Sequence, residues 1–178
     1  MQATRGTPLT GDTEPTQRPS RTGLLAAIAV ISWAVDLGTK QFAEHRLAGH
    51  APVDLLGSLL RLDLTRNPGA AFSTGTSITP VISVFALVAF VVVGRFALRV
   101  RSTAWAWALG LLLAGIAGNL TDRLFRTPGP LRGHVVDFLE LPHWPVFNIA
   151  DVCINIAAAL IVIQSLRGVR LNGERVAS

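Results

Sequence analysis

Cysteine and charge are both scarce in this chain of 178 residues. The single cysteine, Cys153, excludes an intrachain disulfide. Because Cys153 lies in an apolar run, we expect a small buried hydrophobic residue rather than a nucleophile. Charged residues make up 15% of the chain against 50% for apolar residues, and the mean hydropathy is +0.46. This balance favours a polytopic membrane protein of about one domain.

Several motifs that identify other classes of protein are missing. The net charge is +5, but the arginines are scattered among apolar runs and form no basic stripe with interleaved aromatic residues, which argues against nucleic-acid binding. No G-x-S-x-G is present, so the chain lacks the motif that marks a serine hydrolase with a nucleophile elbow. The H-E-x-x-H pattern is absent, and the spacing of His134, Asp137 and His143 matches no helical zinc pattern. We therefore expect neither a metal nor another cofactor.

Four apolar segments are long enough to cross a bilayer. The positions of the charges predict helices over residues 22–44, 78–98, 102–120 and 146–166. Arginines precede the first segment, fill the link between the second and third, and follow the fourth, so the positive-inside rule places both termini in the cytoplasm. Residues 1–21 are rich in Thr, Pro and Gly, which predicts a disordered tail. Residues 22–166 then form one membrane domain, and residues 167–178 form a second cytoplasmic tail.

The two outward-facing segments, residues 45–77 and 125–145, contain strand and turn signals. Residues 60–64 alternate apolar and charged side chains, which predicts a short strand. Pro68-Gly69 indicates a turn, and the small residues after it permit close backbone approach. The predicted fold class is an all-α membrane protein of four transmembrane helices, with a small extracytoplasmic β element and a loop over the site.

Unusual polar residues cluster at the outward side of the predicted bundle. They are Asp36, Asn67, Asp122, Arg123, Asp137, Asn148 and Asp151. Ionisable residues beside membrane spans are functional-site candidates. Two carboxyl groups held close together share a proton, so that one activates water while the other donates to a carbonyl oxygen. We predict that Asp137 and Asp151 form such a pair.

An alternative for these two carboxylates is that they are separate loop-end residues, which cap a helix or pair with arginine. Asp151 in particular would suit the dipole at the start of a helix. Arg123 has two interpretations as well: it pairs with Asp122 as a structural clamp, or it binds a lipid phosphate or a peptide carbonyl through its fork geometry. For Asp122 we expect structural support. Asn67 and Asn148 can each donate and accept hydrogen bonds, so either could orient a substrate backbone or a catalytic aspartate.

Five sequence blocks together resemble the lipoprotein signal peptidases, or signal peptidase II, of bacteria. They are Asp36 with Lys40, which are four apart on one helical face, then Asn67-Pro68-Gly69-Ala70-Ala71-Phe72, Gly118-Asn119-Leu120-Thr121-Asp122-Arg123, Val135-Val136-Asp137-Phe138 and Phe147-Asn148-Ile149-Ala150-Asp151. The blocks follow the family's order across residues 24–166. The stretch 125–133 is longer than the resemblance leads us to expect.

The resemblance implies an aspartic endopeptidase of the bacterial cell membrane, without a cofactor. We expect the protein to act as a monomer among membrane lipids. Its substrates would be prolipoproteins, cut just before a diacylglyceryl-modified cysteine. Asp137 and Asp151 would be the catalytic pair, beneath a small outward β cradle. The residues that would support the pair or position the substrate are Asp36, Lys40, Asn67, Gly69, Asn119, Asp122, Arg123, Asn148 and Ala150.

Two other classes of protein stay open on the residues alone. An intramembrane Asp36 and four short spans would suit a small proton-coupled transporter. That class predicts carboxylates near the bilayer midplane and often internal repeats, whereas here no repeat is present and the carboxylates lie toward one surface. A purely structural membrane subunit is the other class.

Overall fold

A computed structural model describes residues 19–57, 59–69 and 78–175. Most of the expected N-terminal tail, residues 1–18, lies outside the described residues, as do the final residues 176–178. The Ala70-Ala71-Phe72 part of the second sequence block is also outside them. The other blocks are described in full.

In the described part of the chain, four helices form the body of the molecule. They are α1, Thr22–Leu47, α2, Thr79–Ala97, α3, Thr103–Phe125, and α4, Ile149–Leu166. Each is long and apolar enough to cross a membrane, which confirms the four predicted spans. α1 and α3 extend further at their C-terminal ends than the sequence predicts. α4 begins at Ile149 rather than at residue 146, because Asn148 caps it.

Helix α3 is the central helix and packs against α1, α2 and α4. Glycines permit two of these close approaches. A Cβ at Gly115 would lie 2.5 Å from the carbonyl oxygen of Ala150, and a Cβ at Gly118 would lie 2.4 Å from Asp36 Oδ2. Small residues at such positions let helices in a membrane approach closely, which is how they gain packing energy there. The glycines of α3 therefore hold α1 and α4 against it beside the polar residues of the site.

The described part of the C-terminal tail folds back on the opposite end of the bundle. The carbonyl oxygen of Leu171 accepts hydrogen bonds from the backbone nitrogens of Arg101 and Ser102, at 2.9 and 3.2 Å. The indole of Trp105 donates to the carbonyl oxygen of Val169 at 2.8 Å. The tail is thus attached to the link between α2 and α3, which the sequence did not predict.

A three-stranded antiparallel sheet, in the order β1-β2-β3, lies at the end of the bundle where the site is. Its strands are β1, Val53–Asp54, β2, Arg61–Asn67, and β3, Val135–Glu140. The predicted strand over residues 60–64 is confirmed as β2. Asp137 lies in β3, a strand that the sequence analysis did not predict. The first four residues of β3 are all buried, so the strand shows no alternation of apolar and polar side chains that would have revealed it.

Candidate active site

Asp137 is positioned by the pairing of β3 with β2. Thr65 lies opposite Asp137 and Asn67 lies opposite Val135, so Asn67 is a diagonal neighbour of Asp137. The Asn67 side-chain nitrogen donates to Asp137 Oδ2 at 3.0 Å. The backbone nitrogen of Gly69 donates to Asn67 Oδ1 at 2.8 Å, which fixes the orientation of that amide. Gly69 has a φ of 104°, in the left-handed region that favours glycine.

Asp151 is positioned by the cap of α4. Asn148 Oδ1 accepts from the Asp151 nitrogen at 3.0 Å, and Asp151 Oδ2 accepts from the Asn148 nitrogen at 3.2 Å. This is a capping box, with two backbone donors satisfied reciprocally. The alternative reading of Asp151 as a helix cap is therefore correct, but it does not exclude a place in the site, since the cap brings Asp151 to the same cavity as Asp137.

Asn148 links the two predicted catalytic carboxylates directly. Its side-chain nitrogen donates to Asp137 Oδ1 at 2.6 Å, while its backbone holds Asp151. Asn119 donates to Asp151 Oδ1 at 2.8 Å. All four carboxylate oxygens of Asp137 and Asp151 thus accept a hydrogen bond from a backbone or amide nitrogen. Both carboxylates are rigidly oriented before any substrate binds.

Both carboxylates line one open cavity of about 490 Å³. The cavity has apolar walls on the side of α4 and of the loop before it. The other lining residues are Asn67, Trp144, Pro145, Val146, Phe147, Val152, Asn155 and Ile156. A second, smaller cavity of about 200 Å³ reaches Asp137 from the side of β2. Asp137 therefore borders two cavities, which share Asn67, Pro145 and Val146 in their linings.

Burial changes the protonation of Asp137. Its side chain is 2% exposed. Loss of hydration, together with the charge of Asp151, raises the pKa of Asp137 to about 6, although the hydrogen bonds from Asn67 and Asn148 lower it. A carboxyl group with this pKa can hold a proton near neutral pH while a partner carboxylate is ionised.

A buried ion cluster of Asp36, Lys40 and Asp122 lies behind the carboxylate pair. Lys40 Nζ lies 2.8 Å from Asp36 Oδ2 and 2.8 Å from Asp122 Oδ2, and all three side chains are at most 1% exposed. The contact with Asp36 is an ion pair without good hydrogen-bond geometry. Lys40 also donates to Asn119 Oδ1 at 3.1 Å, as does the Asn148 amide at 3.1 Å. Since both donors face Asn119 Oδ1, the Asn119 NH₂ group must point to Asp151.

Each acidic member of the cluster holds the backbone next to one of the predicted catalytic residues. Asp36 Oδ1 accepts from the nitrogen of Ala150, the residue before Asp151, at 2.8 Å. Asp122 Oδ2 accepts from the nitrogen of Val136, the residue before Asp137, at 3.3 Å. The cluster therefore joins α1 and α3 to the two chain segments that carry the pair.

Arg123 is close to the pair but does not clamp Asp122. Among the described residues, the ion pairs of Asp122 are with Lys40 and Arg126, so the clamp between Arg123 and Asp122 is wrong. Arg123 is 8% exposed, and its charge interacts with those of Asp137 and Asp151. Its Nη1 donates only a long bond to the Asn119 carbonyl, at 3.4 Å, and its buried Nε has no hydrogen-bond partner within the described ranges.

Sequence reasoning missed an extension of the ion cluster. Arg126 pairs with Asp122 and with Glu44 of α1, and Glu44 also pairs with Arg66 of β2 at 3.1 Å. The spacing of four between Asp122 and Arg126 is a helical signal that was available in the sequence. The contacts of Glu44 join residues remote along the chain and had no such signal. Cys153 is buried, as predicted.

Comparison with known proteins agrees with the arrangement of the five blocks. The sequence model described as signal peptidase (SPase) II matches residues 28–167. The chain is 44% identical over 160 residues to the lipoprotein signal peptidase of Streptomyces coelicolor, covering 90% of this chain and 78% of that protein. It is 46% identical over 162 residues to the lipoprotein signal peptidase of Mycobacterium avium, covering 89% and 88%.

Solved structures agree as well. A bacterial membrane enzyme solved by the in meso method at 1.9 Å resolution has a TM-score of 0.75 and 25% identity to this chain, covering 86% of it and 99% of that enzyme. A second such structure, at 2.3 Å resolution, has a TM-score of 0.70 and 25% identity, covering 92% of this chain and 100% of the other. The four-helix membrane fold is confirmed, and with the family match over most of the chain the resemblance is too: this chain belongs to the signal peptidase II family.

Proposed function

We propose that Asp137 and Asp151 are the catalytic pair of this peptidase, which removes signal peptides from prolipoproteins by cutting before a diacylglyceryl-modified cysteine. The observation that carries the assignment is the bridge made by Asn148. The Asn148 side chain donates to Asp137 and also caps α4, the helix whose first turn contains Asp151. Such a bridge holds two acidic groups in one open cavity, which is costly for stability and is expected where chemistry needs both.

The proposed reaction uses the one proton that the pair shares. The ionised carboxylate takes a proton from a water molecule, and the hydroxide equivalent attacks the scissile carbonyl carbon. The protonated carboxyl group donates its proton to the carbonyl oxygen as the tetrahedral intermediate forms. The charge of Arg123, which interacts with those of both carboxylates, supports the pair electrostatically. Collapse of the intermediate breaks the C–N bond, and the leaving amine takes the proton that came from water. A hydroxyl group of the intermediate returns its proton to the carboxylate that had donated it, which restores the pair with its one proton.

Aspartate-to-asparagine substitutions test the pair. Asp137→Asn and Asp151→Asn keep the shape of the side chain but cannot share a proton, so each should lower kcat by at least about a hundredfold on a diacylglyceryl-modified prolipoprotein. The matched control is Asp54→Asn, since Asp54 is 64% exposed on β1 and remote from the cavity. Cleavage is measured by a gel shift of the substrate in vesicles, with thermal unfolding to confirm that each variant is folded. Substantial turnover by either cavity variant would remove Asp137 and Asp151 from the mechanism.

We further propose that both termini are cytoplasmic and that the cavity opens near the outer surface of the cell membrane. The bias of arginine toward the link between α2 and α3 and toward both tails supports this orientation. The lipid anchor of a substrate would then hold the scissile bond at the depth of the carboxylates. A reporter fused after Arg101 should report cytoplasm and one fused at Gly57 should report the outside. The opposite pattern would reverse the orientation and separate the cavity from its substrate.

The monomer is the proposed working unit, because one chain supplies both carboxylates and their amide partners. Membrane lipids surround the apolar faces of the helices. The reaction as written needs no metal ion, so a chelator should leave the cleavage rate unchanged.

A further inference from the structure

Asn155 is an amide within the membrane span of α4 that the sequence analysis did not single out. It lines the same cavity as Asp137 and Asp151. It lies one helical turn beyond Asp151, about 6 Å along the axis of α4. Its side chain is exposed, and its nitrogen donates one hydrogen bond, to the carbonyl oxygen of Asp151 at 3.0 Å. The bond directs the amide toward the end of α4 that holds the site.

The surroundings of Asn155 make an amide costly there unless it meets a polar partner. Its cavity neighbours on α4 are Asp151 and the apolar residues Val152 and Ile156, and Trp144 also lines the cavity. Only one of its two N–H groups has an acceptor among the described residues. An amide without hydrogen bonds in an apolar environment costs free energy, and polar groups at membrane depth that line a cavity mark functional sites. The second N–H can therefore donate a hydrogen bond to an acceptor that enters the cavity.

The geometry points to Asn155 as a substrate-binding residue that donates this second N–H to a carbonyl oxygen of the substrate, one helical turn into the membrane from the scissile bond. The inference rests on the proposed function and adds a specificity determinant to it. Two parts of a diacylglyceryl-modified prolipoprotein present such an oxygen at this depth. One is the last turn of the signal-peptide helix, whose terminal carbonyl groups have no partner within the helix. The other is the ester carbonyls of the diacylglyceryl group.

Two substitutions separate substrate binding from a structural role of the bond to Asp151. Asn155→Leu removes both N–H groups. Asn155→Ser keeps a hydroxyl that can bond the carbonyl oxygen four residues earlier, but it has no second donor. The matched control is Val162→Ala, because Val162 is exposed on α4 and does not line the cavity. The full-length wild-type chain and all variants are compared in vesicles of one lipid composition.

The substrates are one prolipoprotein in two forms, with the lipid chains joined to glycerol by ester or by ether bonds. The ether form lacks the lipid carbonyl oxygens and is otherwise matched. With the ester form, both Asn155 variants should show kcat/KM lower by about threefold to tenfold, the effect of one lost hydrogen bond. Val162→Ala should match the wild type. If the deficit of Asn155→Leu disappears with the ether form, the acceptor is a lipid carbonyl, and if it persists, the acceptor is a peptide carbonyl.

Two outcomes would overturn the inference. In one, both Asn155 variants cleave the ester form with wild-type kcat/KM. In the other, Asn155→Ser matches the wild type while Asn155→Leu is impaired, which would show that only the bond to Asp151 matters. Failure of the proposed function is distinguishable, because then the wild type itself would not cleave the ester form or Asp137→Asn would still cleave it.

Discussion

Replacement of Lys40 by methionine should destabilise the protein more than any single surface change. Methionine keeps the unbranched apolar stem but removes the charge that lies 2.8 Å from both Asp36 and Asp122. Among the described residues, Asp122 would keep Arg126, whereas Asp36 would keep only its hydrogen bond from the backbone nitrogen of Ala150. Removing one partner of a buried ion pair costs about 3–5 kcal/mol, because the remaining charge is left without compensation. For a chain of this size the unfolding midpoint should fall by about 6–20 °C.

The comparison of four proteins makes this prediction specific. The wild type, Lys40→Met, Asp36→Asn and the double variant are unfolded thermally in detergent micelles. Lys40→Met leaves the charge of Asp36 without its cationic partner, and Asp36→Asn removes that charge. The double variant should therefore be more stable than the sum of the single effects predicts, by about 1–3 kcal/mol. Lys40→Met should also lower kcat, since Lys40 is one of the two donors that orient Asn119 toward Asp151.

Arg61→Met is the matched control for loss of a charge. Arg61 is 41% exposed and pairs with Asp54 at 3.1 Å, and exposed pairs contribute about 0–1 kcal/mol. Its unfolding midpoint and its cleavage rate should therefore stay near those of the wild type. Strictly additive effects of Lys40→Met and Asp36→Asn, or equal losses for Lys40→Met and Arg61→Met, would refute the idea that the buried cluster is one coupled unit.

The remaining predictions concern protonation and packing. Burial raises the pKa of Asp137 to about 6, and the proposed mechanism needs the proton of the pair, so kcat/KM should decline as the pH rises above about 6. A profile that is flat from about pH 5 to about pH 8 would contradict the sharing of a proton. The unfolded chain has an aspartate pKa of 3.8, so the native state holds this proton more tightly and the free energy of unfolding should fall between about pH 4 and about pH 6, a dependence that Asp137→Asn should remove. Gly118→Ala should lower both the unfolding midpoint and the activity, since the new Cβ would lie 2.4 Å from Asp36 Oδ2. The control Gly94→Ala should be neutral or stabilising, because a Cβ there meets nothing within 4 Å. Equal tolerance of both changes would argue against the close approach of α1 and α3.

Local patterns in the sequence were sufficient for the spans and for the strand β2. A membrane span needs a long apolar run because every backbone polar group must be satisfied within the helix, so length and composition alone determine it. The spacing of four between Asp36 and Lys40 placed them on one face, and the structure pairs them. The five blocks were sufficient to identify the family, since their order along the chain is itself a sequence property. The assignment of Asp137 and Asp151 as the catalytic pair stays a prediction until the variants are measured.

Only the tertiary structure decided which polar groups meet. Asp122 pairs with Lys40 and Arg126 rather than with its neighbour Arg123, because the direction of each side chain depends on how α3 packs against α1. The first four residues of β3 are buried, so β3 shows no alternation of apolar and polar side chains from which the sequence could have predicted it. Asn155 is unremarkable in an apolar run until the fold places it in the cavity with both carboxylates. Spacing along the chain encodes local conformation, whereas these contacts arise from the packing of segments that are remote in sequence, and only the assembled bundle brings them within hydrogen-bond distance.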